Sequence, residues 1–244
     1  MGRLFGTDGV RGLANRDLTA ELALDLAVAA AHILSERGTF AGHRPRAIVG
    51  RDTRISGEFL ESAVVAGLAS AGVDVYRVGV IPTPGVAYLV NSTEADLGVM
   101  ISASHNPMPD NGIKFFARGG VKLDDSLEDA IAARLGEEWE RPIADEVGRV
   151  IDAAKMVDSY IEHLVSSVSA SFSGLTFVID GANGSASRVS PEAFRRLGAK
   201  VIEIATEPNG LNINDGVGST HLEPLISKVK ETKAAAGFAH RSEE

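Results

Sequence analysis

The chain has 244 residues, 44% of them hydrophobic but only 5% aromatic, with a formal net charge of −9 and no cysteine. That length allows two domains of ordinary size, and the composition supports a core of Ala, Val, Leu and Ile, which excludes a disordered chain. It also excludes disulfides, thiolate zinc sites, a helical membrane span and a general nucleic-acid binder. The expected location is the cytoplasm, because Met1-Gly2-Arg3-Leu4-Phe5 lacks the apolar core of a signal peptide.

Strand and helix patterns alternate along the chain. The first helix is expected over 18–37, with Thr19 as its N-cap and Gly38 as its stop. A short strand over 47–50 leads to a helix over 56–71, capped by Ser56 and Gly72, and then to a strand over 73–78. Thr83-Pro84 reads as an N-cap with proline at the first helical position and opens a short helix through 91. Strands over 97–101 and 113–116 flank a polar loop, and a helix follows over 127–138. Arg141-Pro142 and Gly148 mark a break. The alternation then restarts, with a helix over 153–168, a strand over 175–180, a helix around 191–197 and a strand over 200–204. A helix over 222–232 and an apolar run over 234–239 close the pattern. The segments 71–78 and 197–204 resemble each other faintly, as two βαβ units do. The fold class this predicts is α/β: layered mixed or mostly parallel sheets with flanking helices. The units are expected over about 1–145 and 150–244.

The apolar run Leu97-Gly98-Val99-Met100-Ile101 ends in Ser102-Ala103-Ser104-His105-Asn106-Pro107. A hydroxyl and an imidazole at the C-terminal end of a strand stand where open α/β sheets bind ligands. Ser104 is therefore a candidate nucleophile or phosphate carrier, although Ser, Asn and Pro also make an ordinary turn. His105 can share a proton with a phosphate. Asp110-Asn111-Gly112 returns the chain, and Lys114 on the next strand faces either the same crevice or the opposite face. Phe5-Gly6-Thr7-Asp8-Gly9-Val10-Arg11-Gly12 is a second cluster, with a hydroxyl at Thr7 and a planar fork at Arg11 suited to phosphate. Arg51-Asp52-Thr53-Arg54 follows a strand, where an Arg-Asp pair reads as a structural ion pair as readily as an anion site. Residues 209–221 form a long Gly-rich polar loop. Nucleotide-binding glycine motifs and metal-spaced histidine pairs are absent from the sequence.

Taken together, these segments resemble the α-D-phosphohexomutases, and most closely their glucosamine branch. The resemblance rests on residues 2–12, Val49-Gly50-Arg51-Asp52-Thr53-Arg54, residues 79–88, residues 100–107 with the Ser-His-Asn-Pro loop, residues 110–116, Pro208-Asn209-Gly210 and residues 212–221. It implies two consecutive phosphohexomutase-type domains, the first with the phosphoserine loop and the second incomplete. It also implies that Ser104, not Ser102, carries a phosphoryl group and exchanges it with an amino-sugar phosphate through a bisphosphate. His105, Lys114 and Arg11 would then serve acid–base and phosphate handling, and Thr7 and Asn106 substrate binding. One Mg²⁺ would be held through the Ser104 phosphate and three carboxylates. Arg241-Ser242-Glu243-Glu244 stands where the family has its Asp-Gly-Asp-x-Asp-Arg loop. Weak or absent metal binding and no independent mutase turnover of glucosamine 6-phosphate are therefore expected, with Glu243 and Glu244 on a frayed tail. A homodimer is compatible with the resemblance; nucleic-acid or membrane partners are not expected. Phosphomannomutase or phosphoglucomutase specificity, and a non-catalytic phosphate-binding fragment, stand as the alternatives.

Overall fold

The computed structural model describes residues 3–244; Met1 and Gly2, which open the expected N-terminal motif, lie outside them. The first unit is built on a seven-stranded mixed sheet. Its strands are β1 (Val10–Leu13), β2 (Arg46–Arg51), β3 (Asp74–Val80), β4 (Leu97–Ile101), β5 (Asp110–Ala117), β6 (Val121–Lys122) and β7 (Val150–Asp152). The order is β1-β5-β4-β2-β3-β7, with β6 paired to β5. β2, β3, β4 and β7 run parallel, while β5 runs antiparallel to β1 and β4.

Helices cover both faces of this sheet. α1 (Ala20–Glu36) and α2 (Ser56–Ser70) lie on one side; α3 (Thr83–Ser92) and α5 (Met156–Ser166) lie on the other. The alternation of strand side chains sorts the core accordingly. Val49, Val99 and Phe115 pack toward α1 and α2, whereas their neighbours Ile48, Met100 and Phe116 pack toward α3 and α5. A sheet buried on both faces gives a continuous apolar run, as β4 shows, with all five residues buried. The Thr19 hydroxyl caps α1 by accepting from Leu22 N–H, as expected.

Several boundaries differ from the sequence expectation. Ser56 and Thr83 are the first residues of their helices rather than caps, and the Ser56 hydroxyl accepts from Asn111 Nδ2 instead. The helix expected over 127–138 is α4 (Asp125–Ala133); it stops before Gly136, whose left-handed φ of 72° ends the turn that follows. β7 falls within the stretch assigned to the second unit, yet it extends the first sheet by pairing with β3.

The second unit has a three-stranded parallel sheet, ordered β10-β8-β9, from β8 (Thr176–Asp180), β9 (Lys200–Ile204) and β10 (Ala236–Ala239). α6 (Ala186–Arg196) and α7 (Glu223–Thr232) flank it. α6 begins earlier than Pro191 suggests, because the turn after β8 leads straight into it and Ser187 N–H donates to the Gly184 carbonyl. Phe172, Phe177, Phe194 and Phe238 pack ring to ring under α6. Val189 and Ala193 of α6 join the same core as Tyr160 of α5 and Leu89 of α3, so apolar packing connects the two units. Among the described residues, no helix is long and apolar enough to cross a membrane.

Candidate active site

The site grows from the carboxyl end of β4. Ser102 continues the strand by donating its N–H to the Gly112 carbonyl at 2.9 Å. Its hydroxyl donates to Asp52 Oδ2 at 2.7 Å and accepts from Ser104 N–H at 3.0 Å, so Ser102 is fully committed to structure. Ser104 adopts a left-handed φ of 55°. A non-glycine residue held there costs on the order of 1–2 kcal/mol and persists only where its surroundings impose it. Ser104 is fully buried, and its Oγ lies 3.4 Å from His105 Nδ1.

The surroundings that impose this conformation converge on the Ser104 carbonyl. Arg54, fully buried and paired with the equally buried Asp52, donates from one Nη2 to the Ser104 carbonyl at 2.9 Å and to the Asn106 carbonyl at 2.7 Å. Asn214 Nδ2 reaches the same two oxygens at 3.1 and 3.0 Å. The Ser242 hydroxyl donates to the Ser104 carbonyl at 2.6 Å. Arg54 thus does more than form the ion pair expected of the Arg-Asp turn. Its signal in the sequence was its place directly after a strand.

The second unit supplies Asn214 and Ser242 through turns that need unusual backbone. Asp180, at the end of β8, accepts Ala182 N–H on one oxygen and Gly218 N–H on the other, both at 2.9 Å. Ala182, Asn183 and Asn214 are all left-handed. The Thr53 hydroxyl crosses between the units to the Asn183 carbonyl at 2.5 Å.

Residues 241–244 are docked, contrary to the frayed tail expected. Ser242 is fully buried and Glu243 nearly so. Ser185 N–H donates to the Ser242 carbonyl, and Thr83 N–H, at the start of α3, donates to the Glu243 carbonyl at 2.7 Å. Glu243 Oε2 meets Lys114 Nζ at 2.5 Å. The Arg241 guanidinium donates to His105 Nδ1 at 3.0 Å, which makes that nitrogen the lone-pair side of the imidazole. The tail is ordered because a buried ammonium, a helix N-terminus and a sharp loop together offer it more partners than solvent does.

The remaining predicted residues are distributed as follows. Lys114 faces the crevice and joins the Ser104 loop through residues 242 and 243. Arg11 pairs with Asp8 at 3.0 Å, and its Nε is buried without a partner. It stands across Gly112 from Ser102: a Cβ on Gly112 would lie 3.0 Å from Arg11 Cγ and 2.6 Å from the Ser102 carbonyl. Gly9, at a φ of 83°, brings this N-terminal loop to within contact of the Lys114 backbone, which only a residue without Cβ permits. Thr7 is exposed beside Arg3 and Arg11 in a cleft of about 330 Å³ and makes no hydrogen bond to the Ser104 loop. Asn106 donates from Nδ2 to Asp110 at 2.9 Å, so its side chain braces its own loop. A second cleft of about 330 Å³ opens beside His105, between Met108 and the loop bearing Asn214, Asp215 and His221.

Among the described residues, no three His, Cys, Asp or Glu side chains stand together as metal ligands. The buried carboxylates around Ser104 already have partners: Asp52 with Arg54 and Ser102, Asp180 with two backbone N–H groups, Glu243 with Lys114. This arrangement does not fit the Mg²⁺ that the family resemblance implies, since that ion needs free oxygen ligands in near-octahedral geometry.

Residues 2–141 match the family model for phosphoglucomutase/phosphomannomutase, alpha/beta/alpha domain I. The chain is 65% identical over 238 residues to a phosphoglucosamine mutase of Acidothermus cellulolyticus, covering 98% of this chain and 52% of that protein. It is 65% identical over 245 residues to one of Streptomyces griseus, covering 98% and 54%. The chain thus spans about half the length of the curated relatives it matches. In structure it superposes on a phosphoglucomutase/phosphomannomutase family protein from Burkholderia thailandensis with a TM-score of 0.80 at 27% identity, covering 99% of this chain and 53% of that one.

Proposed function

Because the chain belongs to the phosphoglucomutase/phosphomannomutase family, we propose that it forms the phosphoryl-carrying part of a phosphoglucosamine mutase, with Ser104 as the carrier. One observation carries this reading: the Ser104 hydroxyl faces His105 Nδ1 while its backbone is held left-handed by a buried network from both units. Strained backbone over-determined by its surroundings is a mark of functional sites.

The reaction balances on this chain's own residues. With Ser104 phosphorylated, O1 of glucosamine 6-phosphate attacks phosphorus, the bond from phosphorus to Ser104 Oγ breaks, and the O1 proton passes by way of a base to Ser104 Oγ. The bisphosphate turns around. Ser104 Oγ then attacks the phosphorus on O6, the bond from phosphorus to O6 breaks, and O6 gains the proton that Ser104 gives up, which leaves glucosamine 1-phosphate. Once residues 241–244 lift, Arg241 leaves His105 Nδ1, and that nitrogen, 3.4 Å from Ser104 Oγ, is free to take the Ser104 proton in the return step. Lys114 and Arg11 supply the positive charge that a loose phosphoryl transition state requires. Glu243 neutralises Lys114, and residues 241–244 cover Ser104, so this segment must lift before a phosphate reaches either residue. Phosphohexomutases generally depend on Mg²⁺; the carboxylates beside Ser104 are already paired in this arrangement, and no step runs through that ion. The proposed substrate class is an amino-sugar phosphate, and the proposed location is the cytoplasm.

The test is the half-reaction. The purified chain is mixed with glucosamine 1,6-bisphosphate, and release of glucosamine monophosphate is followed by phosphorus NMR against the glucose and mannose bisphosphates. Faster release from the amino sugar supports the reading; equal or faster release from glucose or mannose bisphosphate overturns the assigned substrate.

A further inference from the structure

The loop Asn212-Ile213-Asn214-Asp215-Gly216 has no part in the chemistry described so far, yet one of its side chains touches the Ser104 loop directly. Asn214 Nδ2 lies 3.1 Å from the Ser104 carbonyl and 3.0 Å from the Asn106 carbonyl. Those two oxygens belong to the residues on either side of His105. We propose that Asn214 is a positioning residue: its amide, reaching across from the second unit, holds the carbonyls of Ser104 and Asn106 so that Ser104 stays left-handed and its hydroxyl stays beside His105. The inference rests on the reading of Ser104 as the phosphoryl carrier.

Three observations support it. First, Asn214 is itself placed at some cost. Its φ is 61°, and its N–H donates to the carbonyl of Ala182, another left-handed residue, at 3.0 Å. Asn tolerates that conformation better than most residues, and its short amide can then point away from its own turn. Second, the anchor behind it is rigid. Ala182 N–H and Gly218 N–H both donate to Asp180, so the end of β8 fixes the turn on one side of Asn214 and the loop on the other. Third, the contact is chemically matched. An amide nitrogen has two N–H donors and meets two carbonyl acceptors, so no donor is left over. Arg54 meets the same two oxygens from the first unit. The serine loop is thus gripped from both units, and its geometry depends on their being in register.

Asn214→Gly and Asn214→Asp separate the side-chain role from the backbone role. Glycine accepts the left-handed backbone and removes only the amide. Aspartate keeps the shape and turns an acceptor toward two carbonyls. The experiment reads two signals on the full chain. One is the set of Ser104 Cα and Cβ chemical shifts, which report its backbone conformation. The other is the rate and half-saturating concentration of phosphoryl uptake from glucosamine 1,6-bisphosphate. In both variants the Ser104 shifts should leave their left-handed values, and uptake should slow about tenfold or more at an unchanged half-saturating concentration. Unchanged Ser104 shifts in a folded variant overturn the proposal. In the unsubstituted protein the Asn214 side-chain amide protons should exchange slowly with solvent; exchange as fast as that of an exposed Asn also overturns it, whether or not the variants fold. If the unsubstituted chain takes up no phosphoryl group, the proposed function fails, while the shift and exchange measurements still decide the role of Asn214.

Discussion

Lys114 and Glu243, on the antiparallel strand β5 and in the docked segment after β10, form a nearly dehydrated ion pair at 2.5 Å. It ties the strand behind the serine loop to the second unit. Under the proposed function the same pair occupies a cation that the transferring phosphoryl group needs, so that opening the site and breaking this bridge would be one event.

The pair should therefore be costly to break from one side and cheap to replace from both. Lys114→Met alone leaves a buried carboxylate, and Glu243→Leu alone leaves a buried ammonium; each should cost about 3–5 kcal/mol. The double variant should recover much of that loss. Urea unfolding of all four proteins gives the coupling directly. Additive losses would show that Lys114 and Glu243 are not paired in solution.

Gly112 should tolerate no side chain. A Cβ there would lie 2.6 Å from the Ser102 carbonyl and 3.1 Å from the Val10 carbonyl, both backbone atoms. Gly112→Ala should destabilise the chain by about 1–3 kcal/mol through overpacking and should shift the Ser102 and Ser104 amide resonances. A stability within error of the parent would contradict the close approach of β1, β5 and the serine loop.

How much of this was legible beforehand depends on the range of the interaction. The serine loop could be read because its signal is local: a fully apolar strand, β4, ending in a polar turn. The Thr19 cap was equally local. β7 was not seen, since three residues at a sheet edge carry no period. Arg54 looked like half of an ion pair, because the carbonyls it also binds lie some fifty positions away. Asn214 stood in a recognisable motif, but nothing in its neighbourhood says that its amide faces Ser104 across the gap between two units. The docking of Glu243 on Lys114 was missed for a different reason: a chain end rich in charge reads as solvated until a buried cation is found for it.

Acid should weaken the second unit through His240. Burial pushes this imidazole below its ordinary pKa of 6.5, against the opposing pull of Asp180 and Glu244. Its Nε2 meets the Ser190 hydroxyl at 2.7 Å. With the folded pKa depressed, the unfolded chain takes the proton first. The neutral imidazole's contribution is intact above 6.5 and is lost as pH falls below it, levelling once the folded pKa is passed. Urea midpoints of the parent and of His240→Gln, compared between about pH 7.5 and about pH 5.5, should converge as pH drops. A gap that stays constant or widens would contradict the sign.

Whether Ser104 carries the phosphoryl group is decided by locating that group on the chain. The chain is incubated with glucosamine 1,6-bisphosphate, digested, and the peptide spanning 102–114 is sequenced by tandem mass spectrometry. Phosphate is expected on Ser104 alone, with none on Ser102, whose hydroxyl is held by Asp52, and no uptake at all in Ser104→Ala. Phosphate on Ser102, or undiminished uptake by Ser104→Ala, would contradict that assignment.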